Sequence, residues 1–172
     1  MNPQIDAVNR VVTALPGRQV GTVGRIEALP GAYNVIPGQV TLGLDLRDLE
    51  AATIESMYKQ IVAESRQIGE RTGTSFQFKA VIADAPALTD HLIRTLIDEA
   101  AKDLGLRTMA MPSGATHDAQ NMARLAPIGM IFVPSIGGIS HSPREYSRPE
   151  EIAGGVNVLL HTLLKLTAAM HE

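Results

Sequence analysis

Apolar residues at Ile5, Val8, Val11, Val12 and Leu15 recur at helical spacing and stop at Pro16-Gly17, which predicts a short amphipathic helix. Val20–Leu29 predicts a strand. After the Pro30-Gly31 break, Val40, Leu42, Leu44 and Leu46 alternate with Thr41, Gly43, Asp45 and Arg47, so a second strand carries one apolar and one polar face, with Asp45 and Arg47 together on the polar one. Asp48 is placed to cap a helix whose stripe of Ile54, Met57, Tyr58, Ile61, Val62 and Ile68 ends at Gly73. Phe76, Phe78, Ala80 and Ile82 then alternate with Gln77, Lys79 and Val81, predicting a third strand. Helix, strand, strand, helix, strand makes an α+β layer, an antiparallel sheet with two helices on one face. Its boundary is expected at Asp84-Ala85-Pro86, giving a domain over residues 1–84 and a second region over 85–172.

In the second region Leu92, Ile93, Leu96, Ile97, Ala100 and Leu104 predict a helix closed by Gly105, followed by a short strand near Arg107–Met111 and a helix around Asp118–Leu125. Ile128–Val133 is apolar at nearly every position, as in a strand buried on both faces of a parallel sheet. A last helix is expected after Ser147 and Glu150, which have capping-box spacing, with Ile152, Val156, Leu159, Leu160, Leu163 and Leu166 or Thr167 as its packed face. Two parallel strands and three helices cannot satisfy a strand that needs neighbours on each side. The region therefore reads as an incomplete α/β segment of a larger sheet.

Hydrophobic residues make up 45% and charged residues 19% of the 172, a globular composition; with aromatics at 3% and no Trp, the core must be aliphatic. Fifteen Lys plus Arg against eighteen Asp plus Glu, with no basic run, give no electrostatic footing for nucleic acid or a bilayer surface, so a small molecule or a protein is the expected partner. Cysteine is absent, which removes disulfides and thiolate metal sites and fits the cytoplasm. No apolar run approaches a membrane span, and the first residues do not resemble a signal peptide.

Chemistry concentrates around Ile128–Val133. Before it stands Ser113-Gly-Ala-Thr-His117-Asp118, and after it Gly137-Gly-Ile-Ser-His141-Ser-Pro143, with Glu145 close behind. Glycine and proline fix loop backbones, so histidines there are presented at defined angles. His91, His161 and His171 read as surface or helix residues. Asn34 has two readings, a turn residue beside Pro37-Gly38 or a group that donates and accepts at an amide. Arg47 likewise either pairs with Asp45 or Asp48, or offers its planar fork to a carboxylate.

The motifs PSGATHDA and GMIFVPSIGGISHSPRE, followed by PEEIAGGVNVLL, resemble the C-terminal end of the hydantoinase/carbamoylase amidases, zinc-dependent hydrolases that include N-carbamoyl-L-amino acid hydrolases, allantoate amidohydrolases and β-ureidopropionases. GTVGRIEALPGAYNVIPGQVTLGLDLRD resembles the lid, or dimerisation, domain of the same family. The resemblance implies that residues 1–84 are a lid domain that forms a homodimer, and that 85–172 are the C-terminal segment of a zinc-peptidase-like catalytic domain. It implies His141 as a zinc ligand, with Mn or Co as alternative metals; Glu145 has two readings, a partner that fixes the ring tautomer of His141 or a solvated loop carboxylate. His117 would contact the substrate near the scissile carbonyl and stabilise the oxyanion, oriented by Asp118 unless that residue only caps the next helix. Asn34 and Arg47 would bind a carbamoyl or ureido acid. Thr116 stands where the family commonly has glycine and alters the substrate pocket there. Family members are about twice this length, so the remaining ligands and a glutamate general base would lie before Met1 or in a separate chain, and this chain alone would be inactive.

Two other readings compete. A metal-free serine hydrolase would use Ser113 or Ser140 with His117 and Asp118, but there is no G-x-S-x-G elbow and Asp118 is awkwardly adjacent to His117. A non-catalytic dimerisation or binding module of the same lineage would keep the fold without turnover.

Overall fold

A computed structural model describes residues 3–81 and 84–169. The chain divides into two compact units, residues 1–86 and 87–172.

In the first unit the elements run α1 (Pro3–Ala14), β1 (Val20–Leu29), β2 (Gln39–Arg47) and α2 (Ala51–Thr72). The strands form one antiparallel ribbon, from Val20 opposite Arg47 at the base to Leu29 opposite Gln39 near the tip. A bulge falls between Val23 and Arg25, at Gly24. The extra residue restores the alternation, so Val23 and Ile26 both come opposite apolar partners, Leu44 and Leu42. Val8, Val11 and Val12 of α1 pack with Met57 and Ile61 of α2, and Val23, Leu44 and Leu46 close the cluster from the ribbon. Gly21 permits this approach, since a Cβ there would lie 2.4 Å from Val12 Cγ2. The carbonyls at the end of α1, which have no partner inside the helix, receive the Gln19 side-chain amide, at 2.7 Å on Val12 and 2.6 Å on Leu15.

Two expectations fail in this unit. Asp48 does not cap α2: Glu50 occupies the N-cap, and Asp48, two residues before it, instead accepts the Glu50 N–H on Oδ1 at 2.8 Å. Gly73, with φ +70°, does terminate the helix. The strand expected over Phe76–Ile82 has no ladder partner among the described residues; Ile82 lies outside them. Its aromatics are engaged by α2, with the Phe78 ring edge-on to Tyr58 at 6.0 Å and Phe76 beside Gly69. The sheet is thus two-stranded.

The second unit contains α3 (His91–Asp103), α4 (Ala119–Met122) and α5 (Pro149–Ala169). Asp90 caps α3, its Oδ1 accepting the Ile93 N–H at 3.0 Å. Gly105, at φ +70°, ends it in a Schellman turn: the Leu106 N–H reaches the Ala101 carbonyl and the Gly105 N–H the Lys102 carbonyl, both at 2.9 Å. Ala100 and Ala101 bury against Val158 of α5, with Ile97, Leu104 and Ile131 around them. Lys165 adds ion pairs from α5 to Asp103 at 2.9 Å and Glu99 at 3.8 Å.

The segment 128–133 is not a strand, nor is 107–111, because neither finds a ladder partner among the described residues. Alternate positions nonetheless meet the two helices. Gly129 lies against Ile93 and Ile97, Ile131 enters the core, and Val133 sits on Gly155, where a Cβ would approach to 2.5 Å. The odd positions thus face α3 and α5, while Phe132 on the other face stays half-exposed. Ile128 and Met130 are half-buried and Val133 is exposed like Phe132, so no residue of the segment is fully buried and it is not enclosed on both faces as expected.

The α5 face is also corrected. Its helix begins at Pro149, so Ser147 stands one residue before the N-cap position, and Val158 and Thr162 form the buried side. Ile152, Val156, Leu159, Leu160 and Leu163, expected inside, are about half-exposed, as is Leu164. Small residues win the contact with α3 because Ala100 and Ala101 allow close backbone approach. Contrary to the sequence expectation, α5 is long and apolar enough to cross a membrane, although Asn157, His161 and Thr162 interrupt its apolar residues.

Candidate functional site

The candidate residues fall in both units. In the first, Asn34 occupies the turn at the ribbon tip, where the Val35 N–H reaches the Ala32 carbonyl at 3.3 Å and the Gly38 N–H closes the loop on Leu29 at 3.0 Å. The tip is apolar and exposed, with Tyr33 and Ile36 almost wholly in solvent. Arg47 lies at the opposite end, opposite Val20. From Gln39 to Arg47 the strand spans roughly 27 Å at about 3.4 Å per residue, and Asn34 lies beyond Gln39. One ribbon does not bring these two side chains together.

Arg47 directs its fork at Asp45, with Nε at 2.9 Å from Oδ1 and Nη2 at 2.6 Å from Oδ2. These hydrogen bonds hold the Asp45 carboxyl below the ordinary carboxylate range, against a smaller opposing effect of burial, and raise the guanidinium further. A depressed folded value stabilises the protein above the unfolded value near 3.9, and that contribution is lost as pH falls through the folded value. Both side chains are about half-exposed, so the effect belongs with surface pairs, about 0–1 kcal/mol. Asp45→Asn should accordingly leave the melting temperature at neutral pH nearly unchanged and flatten its decline in acid, as read by circular dichroism across a pH series.

In the second unit Gly114 turns the chain at φ +67°, and Ser113 Oγ comes within 2.6 Å of His117 Nε2. The His117 ring packs at 5.7 Å and 62° against Phe132. Phe132 reads in sequence as one more apolar residue of a strand, and Ser113 only as a nucleophile for the serine-hydrolase reading; neither signals that it would hold a histidine. Asp118 makes no side-chain cap bond, while its carbonyl accepts the Asn121 and Met122 N–H groups at the start of α4. Thr116 is exposed beside His117.

After the segment, Gly137 and Gly138 at φ +67° and +65° lead to His141, which adopts φ +54° without being glycine. A β-carbon in that left-handed region costs on the order of 1–2 kcal/mol. Glu145 opposes the cost: its Oε2 accepts the His141 backbone N–H at 2.9 Å. The carboxylate therefore holds the histidine's backbone and not its ring tautomer, which corrects the sequence expectation. His117 and His141 are fixed by different partners. His91 opens α3 and His161 lies in α5, while His171 is outside the described residues. Among the described residues no three His, Asp or Glu side chains gather to hold a metal ion, so these donors do not fit a complete ion site and no reaction step is assigned to one.

Residues 2–165 match Peptidase family M20/M25/M40. The chain is 44% identical over 149 residues to a ureidoglycolate hydrolase of Arabidopsis thaliana, covering 86% of this chain and 31% of that protein. It is 40% identical over 150 residues to an N-carbamoyl-L-amino acid amidohydrolase of Geobacillus stearothermophilus, covering 87% and 37%. A crystal structure of a hydantoinase/carbamoylase family amidase from Burkholderia vietnamiensis superposes with a TM-score of 0.86 at 33% identity, over 94% of this chain and 39% of that one. The chain spans about a third of the length of the curated relatives it matches.

Proposed function

Because the chain belongs to peptidase family M20/M25/M40, we propose that it is the lid domain and C-terminal catalytic segment of a metal-dependent amidohydrolase cleaving a linear C–N bond in a carbamoyl- or ureido-substituted acid. N-carbamoyl amino acids, allantoate and ureidoglycolate are the substrate class. The reading is carried by one observation: two glycine-turned histidine loops, each clamped by its own local partner, flank a segment whose other face is pinned to α3 and α5. His117 and Thr116 meet the reacting group, and His141 is one ligand of a zinc ion, or of Mn or Co. The other ligands and the general base come from outside these residues, in the same polypeptide or another. When bound, the metal supplies an activated water.

Arg47 takes the substrate carboxylate, sharing or exchanging Asp45, and Asn34 meets the ureido or carbamoyl group. A small acid cannot bridge the length of the ribbon, so the two residues serve one substrate only if they come from different copies of the chain. This favours a homodimer formed through the first unit, whose ribbon has two open edges. Sedimentation at micromolar concentration should give a dimer, and a clean monomer would count against it.

The function is tested by joining these 172 residues, in place of the matching segment, to the N-terminal remainder of the Geobacillus stearothermophilus relative. The chimera should hydrolyse at least one of the three acids. Within it Arg47→Lys should raise KM by about 5- to 150-fold, the equivalent of about 1–3 kcal/mol for a charged hydrogen bond. A folded, metal-loaded chimera inactive on all three would overturn the proposal; an unchanged KM with lowered thermal stability would leave Arg47 as the partner of Asp45 alone.

A further inference from the structure

Three polar atoms converge on the hydroxyl of Ser113. The Ala115 N–H lies 3.0 Å from Oγ, the Ala115 carbonyl oxygen 3.1 Å, and His117 Nε2 2.6 Å. A serine hydroxyl has one proton to donate and two lone pairs to accept with. The amide can only donate and the carbonyl can only accept, so those two contacts fix the direction of two bonds. The hydroxyl proton goes to the Ala115 carbonyl and one lone pair takes the Ala115 N–H. What remains is the second lone pair, and only a protonated Nε2 can use it. Giving the proton to Nε2 instead would leave two oxygens facing each other at 3.1 Å with no hydrogen between them.

We infer that Ser113 is a positioning residue that holds neutral His117 as the Nε2–H tautomer, leaving the ring's lone pair on Nδ1. The second hold on the ring is Phe132, packed against it edgewise, and the turn at Gly114 brings the hydroxyl into reach. The consequence for catalysis rests on the proposed function. A neutral ring with its lone pair on Nδ1 accepts a hydrogen bond, which suits an N–H of a carbamoyl or ureido group. It donates from Nδ1 to a carbonyl oxygen only as imidazolium. The oxyanion role implied by the family resemblance therefore requires the charged ring, and the neutral ring has a different task, orienting the nitrogen side of the scissile bond.

The test uses the 172-residue chain, labelled with ¹⁵N, at about pH 8, above the ordinary histidine range. Long-range correlations between the ring nitrogens and carbon-bound protons report the tautomer directly. The expected wild-type pattern for His117 is protonated Nε2, with an observable ring N–H. In Ser113→Ala that N–H signal should disappear into solvent exchange and the tautomer ratio should fall about fivefold, the equivalent of one ordinary hydrogen bond. Ser113→Thr, which keeps a hydroxyl, should restore both. A proton on Nδ1 in the wild type, or a Ser113→Ala spectrum unchanged at His117, would overturn the inference. The wild-type spectrum decides the tautomer even if Ser113→Ala fails to fold. With no substrate or metal in the sample, the outcome is independent of whether the proposed activity is right.

Discussion

Equilibrated with zinc and then desalted, the 172-residue chain is expected to retain less than stoichiometric metal and to hydrolyse no N-carbamoyl amino acid. A catalytic zinc takes about three protein ligands and a structural one about four, and no such group exists among the described residues. His141 is held by Glu145 and His117 by Ser113; even if both imidazoles were recruited, one further ligand and a general base would be lacking. Bound metal after desalting and hydrolysis of the acid are the two measurements. Stoichiometric retention abolished by His141→Ala, or measurable turnover, would sink the reading of this chain as part of a site and direct attention to His91 and Asp118.

Ile61→Ala should lower the stability of the first unit by about 2–5 kcal/mol, the range for removing a large aliphatic side chain from a sealed core. Ile61 and Met57 are both fully buried, one turn apart on the inner face of α2. They face Val8, Val11 and Val12, so the methyl groups removed have neighbours on every side and little room to collapse. Against a total of about 4–13 kcal/mol for a unit of this size, the loss is large. Leu160→Ala on the half-exposed side of α5 makes the contrast, with an expected change within about 0.5 kcal/mol. Urea titrations of the two variants, followed by circular dichroism, measure the difference; equal midpoints would mean that the core is misplaced.

Elements that close on themselves were legible in the sequence. The ribbon strand Gln39–Arg47 and the end of α2 at Gly73 follow from local alternation and from a glycine suited to the left-handed backbone. The segments around Phe76, Arg107 and Ile128 are expected as strands, the first from alternation and the last from a continuous apolar run, yet none has a ladder partner among the described residues. Period-two alternation reports which side of a chain is buried, and says nothing of whether another strand runs beside it. Phe78 satisfied its pattern by packing on Tyr58, and 128–133 by packing on two helices. At the site, the histidine loops stood out by glycine, proline and histidine content, whereas the clamps did not. That Glu145 would grip a backbone N–H, and that Ser113 would touch His117, depends on dihedral angles no spacing rule encodes.

The two hydrophobic clusters share no residue: one is built from α1, α2 and the ribbon, the other from α3, α5 and Ile131. Heating such a chain need not give one cooperative transition, and an enthalpy fitted to a single step would describe neither half. Substitutions in different clusters should then add almost without cross-terms. A mutation's address would be readable from which of two calorimetric peaks it displaces, making the chain its own internal control.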